Sequence, residues 1–201
     1  HFYFCFGEDV PGNLTVTGRD LSNGRDGYNS DVTDILKNFN PKLRILEIGA
    51  GLGELPQAVH SLGGSIDIVD FVDYSTCYDL FERMYPYVCD VDHIKEIVEL
   101  KKRAELILTK PEILHHKKSL ESALEDPSLQ GRFDVVVDNF GPRYWDRLVN
   151  FQNQKVQTRI AERYFLREGG RLIGEPKSGY RWINNELFVR YAKNDLIKWK
   201  Q

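Results

Sequence analysis

Three closely spaced glycines follow a short apolar segment that contains one glutamate. Gly49, Gly51 and Gly53 come directly after the run Leu43–Ile48, in which Glu47 is the only acidic residue. Glycine is required where a chain turns sharply and where a ligand must approach bare backbone. Because such a short apolar run favours a buried parallel strand, the turn should open at a carboxyl end of a sheet, where ligands bind.

A second acidic residue ends the next apolar run. Residues 65–70 predict another buried strand, and residues 55–62 between the two runs have helical spacing that stops at a pair of glycines. Together these segments predict a strand–helix–strand unit. Asp70 should therefore lie beside the glycine turn, where a carboxylate can accept hydrogen bonds from both hydroxyls of a ribose.

The glycine spacing distinguishes between two kinds of nucleotide site. Dinucleotide-binding turns have the spacing G-x-G-x-x-G, whereas the third glycine of Gly49-Ala-Gly51-Leu-Gly53 comes one residue earlier. This spacing, after a strand that carries Glu47, resembles the first motif of the class I S-adenosylmethionine-dependent methyltransferases. The chemistry agrees, because a carboxylate repels a pyrophosphate, which binds helix N-termini, and attracts the ammonium group of S-adenosylmethionine.

Three later segments extend the resemblance to residues 43–174. Residues 118–124 are placed like the family segment that holds the adenine, which implies contacts from Ser119 and Leu120; a helix capped by Ser119 explains the same residues. Residues 133–145 resemble the fourth motif, whose loop lies beside the transferred methyl group. Residues 167–174 resemble the Gly-Gly turn into the fifth strand.

The fourth motif implies the site of the methyl acceptor. Asp138 is the candidate general base, with a loop-fixing carboxylate as the equal alternative, and Asn139, Tyr144 and Trp145 are candidates for the acceptor pocket. The Asn- or Asp-Pro-Pro-aromatic tetrapeptide of amino-methylating members is absent. The sequence thus gives no support for a planar amide or adenine nitrogen as the acceptor. We expect a small molecule or a protein side chain as acceptor, with S-adenosylmethionine as cofactor and S-adenosylhomocysteine as product.

Three other functions share parts of this pattern. Aminopropyl transfer, as in the polyamine synthases, uses the same fold but typically a second acidic residue where this chain has Asn139. A non-catalytic S-adenosylmethionine-binding module is disfavoured by the intact Glu47, glycine turn and Asp70, and a nicotinamide oxidoreductase by the glycine spacing. Adjacent histidines at 115–116 point to opposite faces of a strand, so we predict no metal site.

The composition fits one domain and carries no nucleic-acid or membrane signature. We predict a single methyltransferase-like domain over residues 1–201, with an N-terminal loop and helix in 1–40 and an α/β core in 41–201. The net charge of −3 leaves no general footprint for nucleic acid. No apolar run approaches the about 20 residues that span a bilayer. Three cysteines without a CxxC pair indicate a reducing, intracellular compartment.

The remaining patterns predict a doubly wound α/β fold. Residues 7–30 are rich in Gly, Asn and Asp and predict an irregular stretch, helical spacing runs from Asp31 to Asn40, and residues 79–105 are mostly helical. The third strand lies at 105–109 or at 113–118, and the sequence leaves both open. Alternation of strands and helices is typical of a mainly parallel, Rossmann-like sheet.

The C-terminal part predicts a reversed edge for that sheet. A long helix is predicted over residues 145–166, with Gly169-Gly170 ending it before a strand at 171–174. Alternating apolar and polar residues at 186–199 surround Lys193-Asn194-Asp195. Because Asn and Asp favour tight turns, these residues predict an antiparallel C-terminal hairpin.

Overall fold

The computed structural model describes residues 2–3, 15–16, 30–87, 91–138 and 162–173. Strands and helices alternate through most of this part of the chain, as the sequence predicts. In chain order they are β1 (Phe2–Tyr3), β2 (Thr15–Val16), α1 (Ser30–Lys37), β3 (Ile45–Ile48), α2 (Glu54–Ser61), β4 (Ile66–Asp70), α3 (Tyr74–Met84), α4 (Val91–Thr109), β5 (Ile113–Lys117), α5 (Leu120–Leu124), β6 (Phe133–Val137) and β7 (Leu166–Ile173).

The main sheet has five strands in the order β5-β4-β3-β6-β7, and all neighbouring pairs are parallel. The chain moves outward from β3 through β4 to β5, then returns to the other side of β3 with β6 and continues to β7. The winding direction therefore reverses between β3 and β6. In open α/β sheets this reversal is where ligands bind, beyond the carboxyl ends of the strands. The predicted doubly wound sheet is confirmed for the described strands.

Helices cover both faces of the sheet, so its central strands are buried on both sides. In β3, Ile45 packs with residues of α1 to α4, whereas Leu46 and Ile48 pack on the opposite face with α5 and Phe165. Alternate residues of a strand point to opposite faces, and burial of both faces demands apolar residues at nearly every position. Glu47 is the exception in β3, and it is as buried as its apolar neighbours.

The helical stretch predicted over residues 79–105 is two helices. α3 ends at Met84, a short 3-10 turn covers Tyr85–Tyr87, and α4 begins at Val91. Pro86 has no N–H group to donate to a carbonyl one turn earlier, so α3 cannot continue through it. The helix predicted from Asp31 is confirmed as α1, which buries Val32 against the sheet.

The third strand of the predicted sheet is β5, at the second of the two predicted positions. Residues 105–109 are instead the last turns of α4, where Ala104 and Ile107 are buried. The alternative strand at 105–109 is therefore wrong. Residues 7–30 are predicted to be irregular, but Thr15–Val16, within this stretch, forms a short strand that pairs antiparallel with Phe2–Tyr3. Its β-branched residues, opposite two aromatic ones, favour such pairing.

Gly169-Gly170 lies inside a strand and does not end a helix. Phe133 pairs with Leu166 but Val135 pairs with Arg171, so a step of two residues in β6 is matched by a step of five in β7. Gly169 has a φ of 75° and accommodates the resulting bulge. Most of the helix predicted over 145–166 and all of the hairpin predicted at 186–199 lie outside the described residues. Among the described helices, none is both long and apolar enough to cross a membrane.

Candidate cofactor site

The predicted glycine turn joins β3 to α2 and has a left-handed backbone at all three glycines. The φ angles are 72° at Gly49, 58° at Gly51 and 80° at Gly53. A residue with a Cβ atom is strained in this region by about 1–2 kcal/mol. Glycine is therefore required by the backbone itself, and the turn lies at the carboxyl end of the central strand, where the sheet reverses its winding direction.

Asp70, at the end of β4, holds this turn through the backbone. Its Oδ2 accepts a hydrogen bond from the Gly51 N–H at 3.2 Å, and its Oδ1 accepts one from the Val72 N–H at 3.0 Å. Burial raises the pKa of Asp70, and the amides of Val72 and Gly51 act in the opposite direction. A carboxylate has about four lone-pair sites. Among the described residues, the amides of Val72, Gly51 and Phe71 occupy part of that capacity, and the rest is available to hydroxyl groups of a ligand.

Glu47 and Asp70 approach the same buried phenol. Burial raises the pKa of Tyr74 well above its ordinary value, and the negative charges of Asp70 and Glu47 raise it further. Only 2% of Glu47 and 6% of Asp70 is exposed. The structure thus brings together the two carboxylates singled out by the sequence and buries both of them beside the glycine turn.

Tyr74 also contacts the glycine turn, although no sequence motif points to it. Its hydroxyl donates to the Gly51 carbonyl at 3.1 Å, and its ring meets His115 edge to face, with centroids 4.9 Å apart. α3 begins at Tyr74 because Asp73 accepts hydrogen bonds from the backbone N–H groups of Ser75 and Thr76. An Asp directly before the first helical residue was the available signal for this helix start.

The carboxyl end of β5 completes this side of the site. His115 Nε2 lies 3.1 Å from the backbone oxygen of Asp70, and Lys117 Nζ donates to Asp73 Oδ2 at 2.5 Å. His116 lies on the opposite face of the strand, 2.8 Å from Asp67 Oδ2. Within the described ranges, no group of three or more His, Cys, Asp or Glu side chains is arranged to hold a metal ion.

Helix α4 packs directly against the glycine turn. A Cβ atom at Gly53 would lie 2.6 Å from Cδ1 of Ile107, so this glycine is needed for packing as well as for its left-handed backbone. Arg103 then links α4 to the first turn of α2, because its Nη1 donates to Glu54 Oε1 at 2.9 Å and its Nε donates to Gln57 Oε1 at 2.9 Å. The start of α2 is thereby fixed from a helix about 50 residues later in the chain.

Ser119 and Leu120 lie at the start of α5. The Ser119 hydroxyl accepts a hydrogen bond from the Ser122 N–H at 3.3 Å and caps the helix, as the alternative interpretation of these residues predicts. Leu120 is buried in the core on the α5 side of the sheet. Both residues follow β5, next to the strand that carries Asp70. Adenine contacts from Ser119 and Leu120 stay a prediction.

Asp138 follows β6 and is completely buried. Its backbone N–H donates to the Ile173 carbonyl of β7 at 2.9 Å, so it lies where two strands end at the same edge of the sheet as the glycine turn. A role as general base stays a prediction. The other acceptor-site candidates, Asn139, Tyr144 and Trp145, lie outside the described residues.

Comparisons with known proteins give similarity only at the level of the backbone. No protein-family model and no curated protein matches the chain. Similar solved structures include a Burkholderia thailandensis 1,6-didemethyltoxoflavin-N1-methyltransferase with bound S-adenosylhomocysteine, 14% identical over 82% of this chain and 65% of that chain, with a TM-score of 0.45. The Synechocystis magnesium protoporphyrin IX methyltransferase with bound S-adenosylmethionine is 17% identical over 83% of this chain and 64% of that chain, with a TM-score of 0.39.

The similar structures are not all methyltransferases. A Rhodobacter sphaeroides protein described as a zinc-dependent alcohol dehydrogenase is 17% identical over 83% of this chain and 53% of that chain, with a TM-score of 0.45. The chain spans about half the length of several structures that it matches. Similarities of this size identify neither the cofactor nor the reaction. The chemistry of the site is therefore the basis for both.

Proposed function

We propose that this chain binds S-adenosylmethionine at the glycine turn and is a methyltransferase. The observation that supports this most strongly is the pair of nearly buried carboxylates, Glu47 and Asp70, beside a turn of three left-handed glycines. S-adenosylmethionine carries a positive sulfonium and a positive ammonium group, and its ribose offers two hydroxyls. A site built from two carboxylates and bare backbone is complementary to each of these groups.

Glu47 disfavours a dinucleotide, whereas Asp70 suits the ribose of either ligand. Two unit charges about 4 Å apart interact by about 4 kcal/mol when the effective dielectric constant is near 20. A pyrophosphate on the glycine turn would meet repulsion from an ionised Glu47, whereas the ammonium group of S-adenosylmethionine would gain an attraction of the same order. The balance of charge therefore favours the sulfonium cofactor over a nicotinamide dinucleotide.

Each residue of the site has a separate task in this proposal. Asp70 accepts hydrogen bonds from the ribose hydroxyls while it holds the Gly51 N–H. Glu47 faces the ammonium group, directly or through water, and the turn at Gly49 and Gly51 lets the ligand approach the backbone. Ser119 is the candidate for the adenine side. When bound, the cofactor supplies an already activated methyl group, so alignment of the acceptor contributes much of the rate.

The acceptor is expected beyond β6, at the same edge of the sheet. Asp138 ends that strand and is the candidate to remove a proton from the acceptor, while Asn139, Tyr144 and Trp145 are candidates for the pocket wall. A small molecule or a protein side chain remains the proposed acceptor, and S-adenosylhomocysteine is the proposed product.

A pair of glycine variants tests whether the turn binds the cofactor. Gly51→Val puts a branched side chain on the turn, whereas Gly63→Val puts the same side chain on a left-handed backbone, with a φ of 76°, that has open space around it. Both changes carry similar strain, of about 1–3 kcal/mol. In calorimetric titrations with S-adenosylhomocysteine, Gly63→Val should bind like the wild type and Gly51→Val should not bind.

The circular dichroism of both variants is recorded so that only folded protein is compared. Gly51→Ala, with the same backbone strain and a smaller side chain, should give an intermediate loss of affinity. If folded Gly51→Val bound S-adenosylhomocysteine with the affinity of the wild type, the turn would have no role in binding and the proposal would lose its main support.

A further inference from the structure

The backbone of Gly51 is held on both sides by residues of the β4–α3 unit. Its N–H donates to Asp70 Oδ2 at 3.2 Å, and its carbonyl accepts from the Tyr74 hydroxyl at 3.1 Å. Gly51 is the middle of three glycines, and glycine has more backbone freedom than any other residue. The conformation of the turn is therefore fixed by side chains that come about 20 residues later in the chain.

Tyr74 is itself firmly placed for this contact. Only 2% of the residue is exposed, and its ring packs edge to face against His115. The Asp73 cap fixes the first turn of α3, from which the side chain projects. Its pKa is raised well above the ordinary value by burial and by the neighbouring carboxylates, so the hydroxyl keeps its proton and stays a donor.

We propose that Tyr74 is a positioning residue, whose hydroxyl holds the Gly51 carbonyl and thereby preforms the glycine turn for the cofactor. The role in cofactor binding rests on the proposed function. A binding loop that is already ordered loses less conformational freedom when its ligand arrives, and this difference appears as affinity. Without the hydroxyl, the Gly51 carbonyl would lose this hydrogen bond while the contact of its N–H group to Asp70 remains, and the cofactor would have to order the turn as it binds.

The variant Tyr74→Phe removes only the hydroxyl and keeps the ring against His115. Its matched control is Tyr78→Phe, which removes a hydroxyl one turn later on α3, where the ring lies 5.0 Å from Lys101 Nζ. In calorimetric titrations with S-adenosylhomocysteine, Tyr74→Phe should bind about five- to tenfold more weakly than the wild type, which corresponds to about 1.0–1.4 kcal/mol. Tyr78→Phe should bind like the wild type.

Amide hydrogen exchange of the ligand-free protein separates positioning from a general loss of stability. With a positioning role, the amides of residues 49–53 should exchange faster in Tyr74→Phe, while those of β4 and α4 keep their protection. A merely structural role would speed exchange across the whole domain, in proportion to the loss of global stability. Exchange at residues 49–53 would then increase no more than exchange in the other elements.

The two measurements also separate this inference from the proposed function. If the wild type does not bind S-adenosylhomocysteine, the proposed function fails together with the cofactor role of Tyr74, while exchange at residues 49–53 still decides whether Tyr74 holds the turn. If the wild type binds and Tyr74→Phe binds equally well, or if exchange at the turn is unchanged, the positioning role is overturned.

Discussion

Gly53→Ala should destabilise the fold for two separable reasons. The first is backbone strain, because a φ of 80° costs a residue with a Cβ atom about 1–2 kcal/mol. The second is packing, because the new Cβ would lie 2.6 Å from Cδ1 of the buried Ile107, and forcing that side chain away from its rotamer costs about 0.5–1.5 kcal/mol. We therefore expect a loss of about 1.5–3.5 kcal/mol in the free energy of unfolding.

Two further variants isolate the packing contribution. Gly63→Ala has nearly the same backbone conformation, with a φ of 76°, but nothing within 4 Å of the new Cβ, so it should lose only about 1–2 kcal/mol. The effect of Gly→Ala on the unfolded chain is common to both positions and cancels in the comparison. Ile107→Val deletes Cδ1, so Gly53→Ala should cost about 0.5–1.5 kcal/mol less in that background than alone.

Urea-induced unfolding, followed by the circular dichroism of the helices, gives the free energies of unfolding of the wild type, the three single variants and the double variant with the same probe. The expected order of stability loss is Gly53→Ala above Gly63→Ala, with partial recovery in the double variant with Ile107→Val. If Gly53→Ala cost no more than Gly63→Ala, and Ile107→Val gave no relief, α4 would not pack on the glycine turn as described.

Two other predictions concern carboxylates. Asp70→Ala should weaken binding of S-adenosylhomocysteine by about 1–3 kcal/mol in calorimetry, because a charged hydrogen-bond acceptor is lost. Asp67→Ala, on the opposite face of β4, is the control. Equal affinities of Asp70→Ala and the wild type would contradict the ribose role. The side-chain hydrogen bonds from Lys117 and Ser75 lower the pKa of Asp73 below its ordinary 3.8. The ionised Asp73 therefore stabilises the fold fully above pH 3.8, and this stabilisation is lost as the pH falls below that value. Asp73→Ala should therefore lower the free energy of unfolding by about 1 kcal/mol at pH 7, as for other N-cap residues, and by progressively less below pH 3.8. An equal loss at pH 7 and at about two pH units below 3.8 would contradict this prediction.

Local patterns predict the centre of this fold well. The apolar runs that become β3, β4 and β6 are short, bounded by glycine or polar residues, and buried on both faces, so length and composition identify them together. The same patterns fail where one sequence pattern fits two different local conformations. Helical periodicity continues across Pro86, and Gly169-Gly170 fits a helix end as well as it fits the bulge in β7.

The site is predictable only where its residues are close in sequence. Glu47, the three glycines and Asp70 follow from strand ends and spacing. Tyr74 contacts Gly51 across 23 residues, and Arg103 contacts Glu54 across 49 residues. Such contacts depend on how helices pack over the sheet, and periodicity alone carries no information about them. The sequence therefore identifies the groups that would face a ligand, while the residues that hold them in place require the structure.

Calorimetric titration of the wild-type chain with S-adenosylhomocysteine and, on the same sample, with NAD tests the cofactor assignment most directly. Both ligands contain adenosine, so the comparison isolates the part in which they differ, an amino-acid end against a pyrophosphate. Glu47 beside the glycine turn predicts saturable binding of S-adenosylhomocysteine and no heat of binding for NAD. Tight binding of NAD without a response to S-adenosylhomocysteine would contradict the assignment.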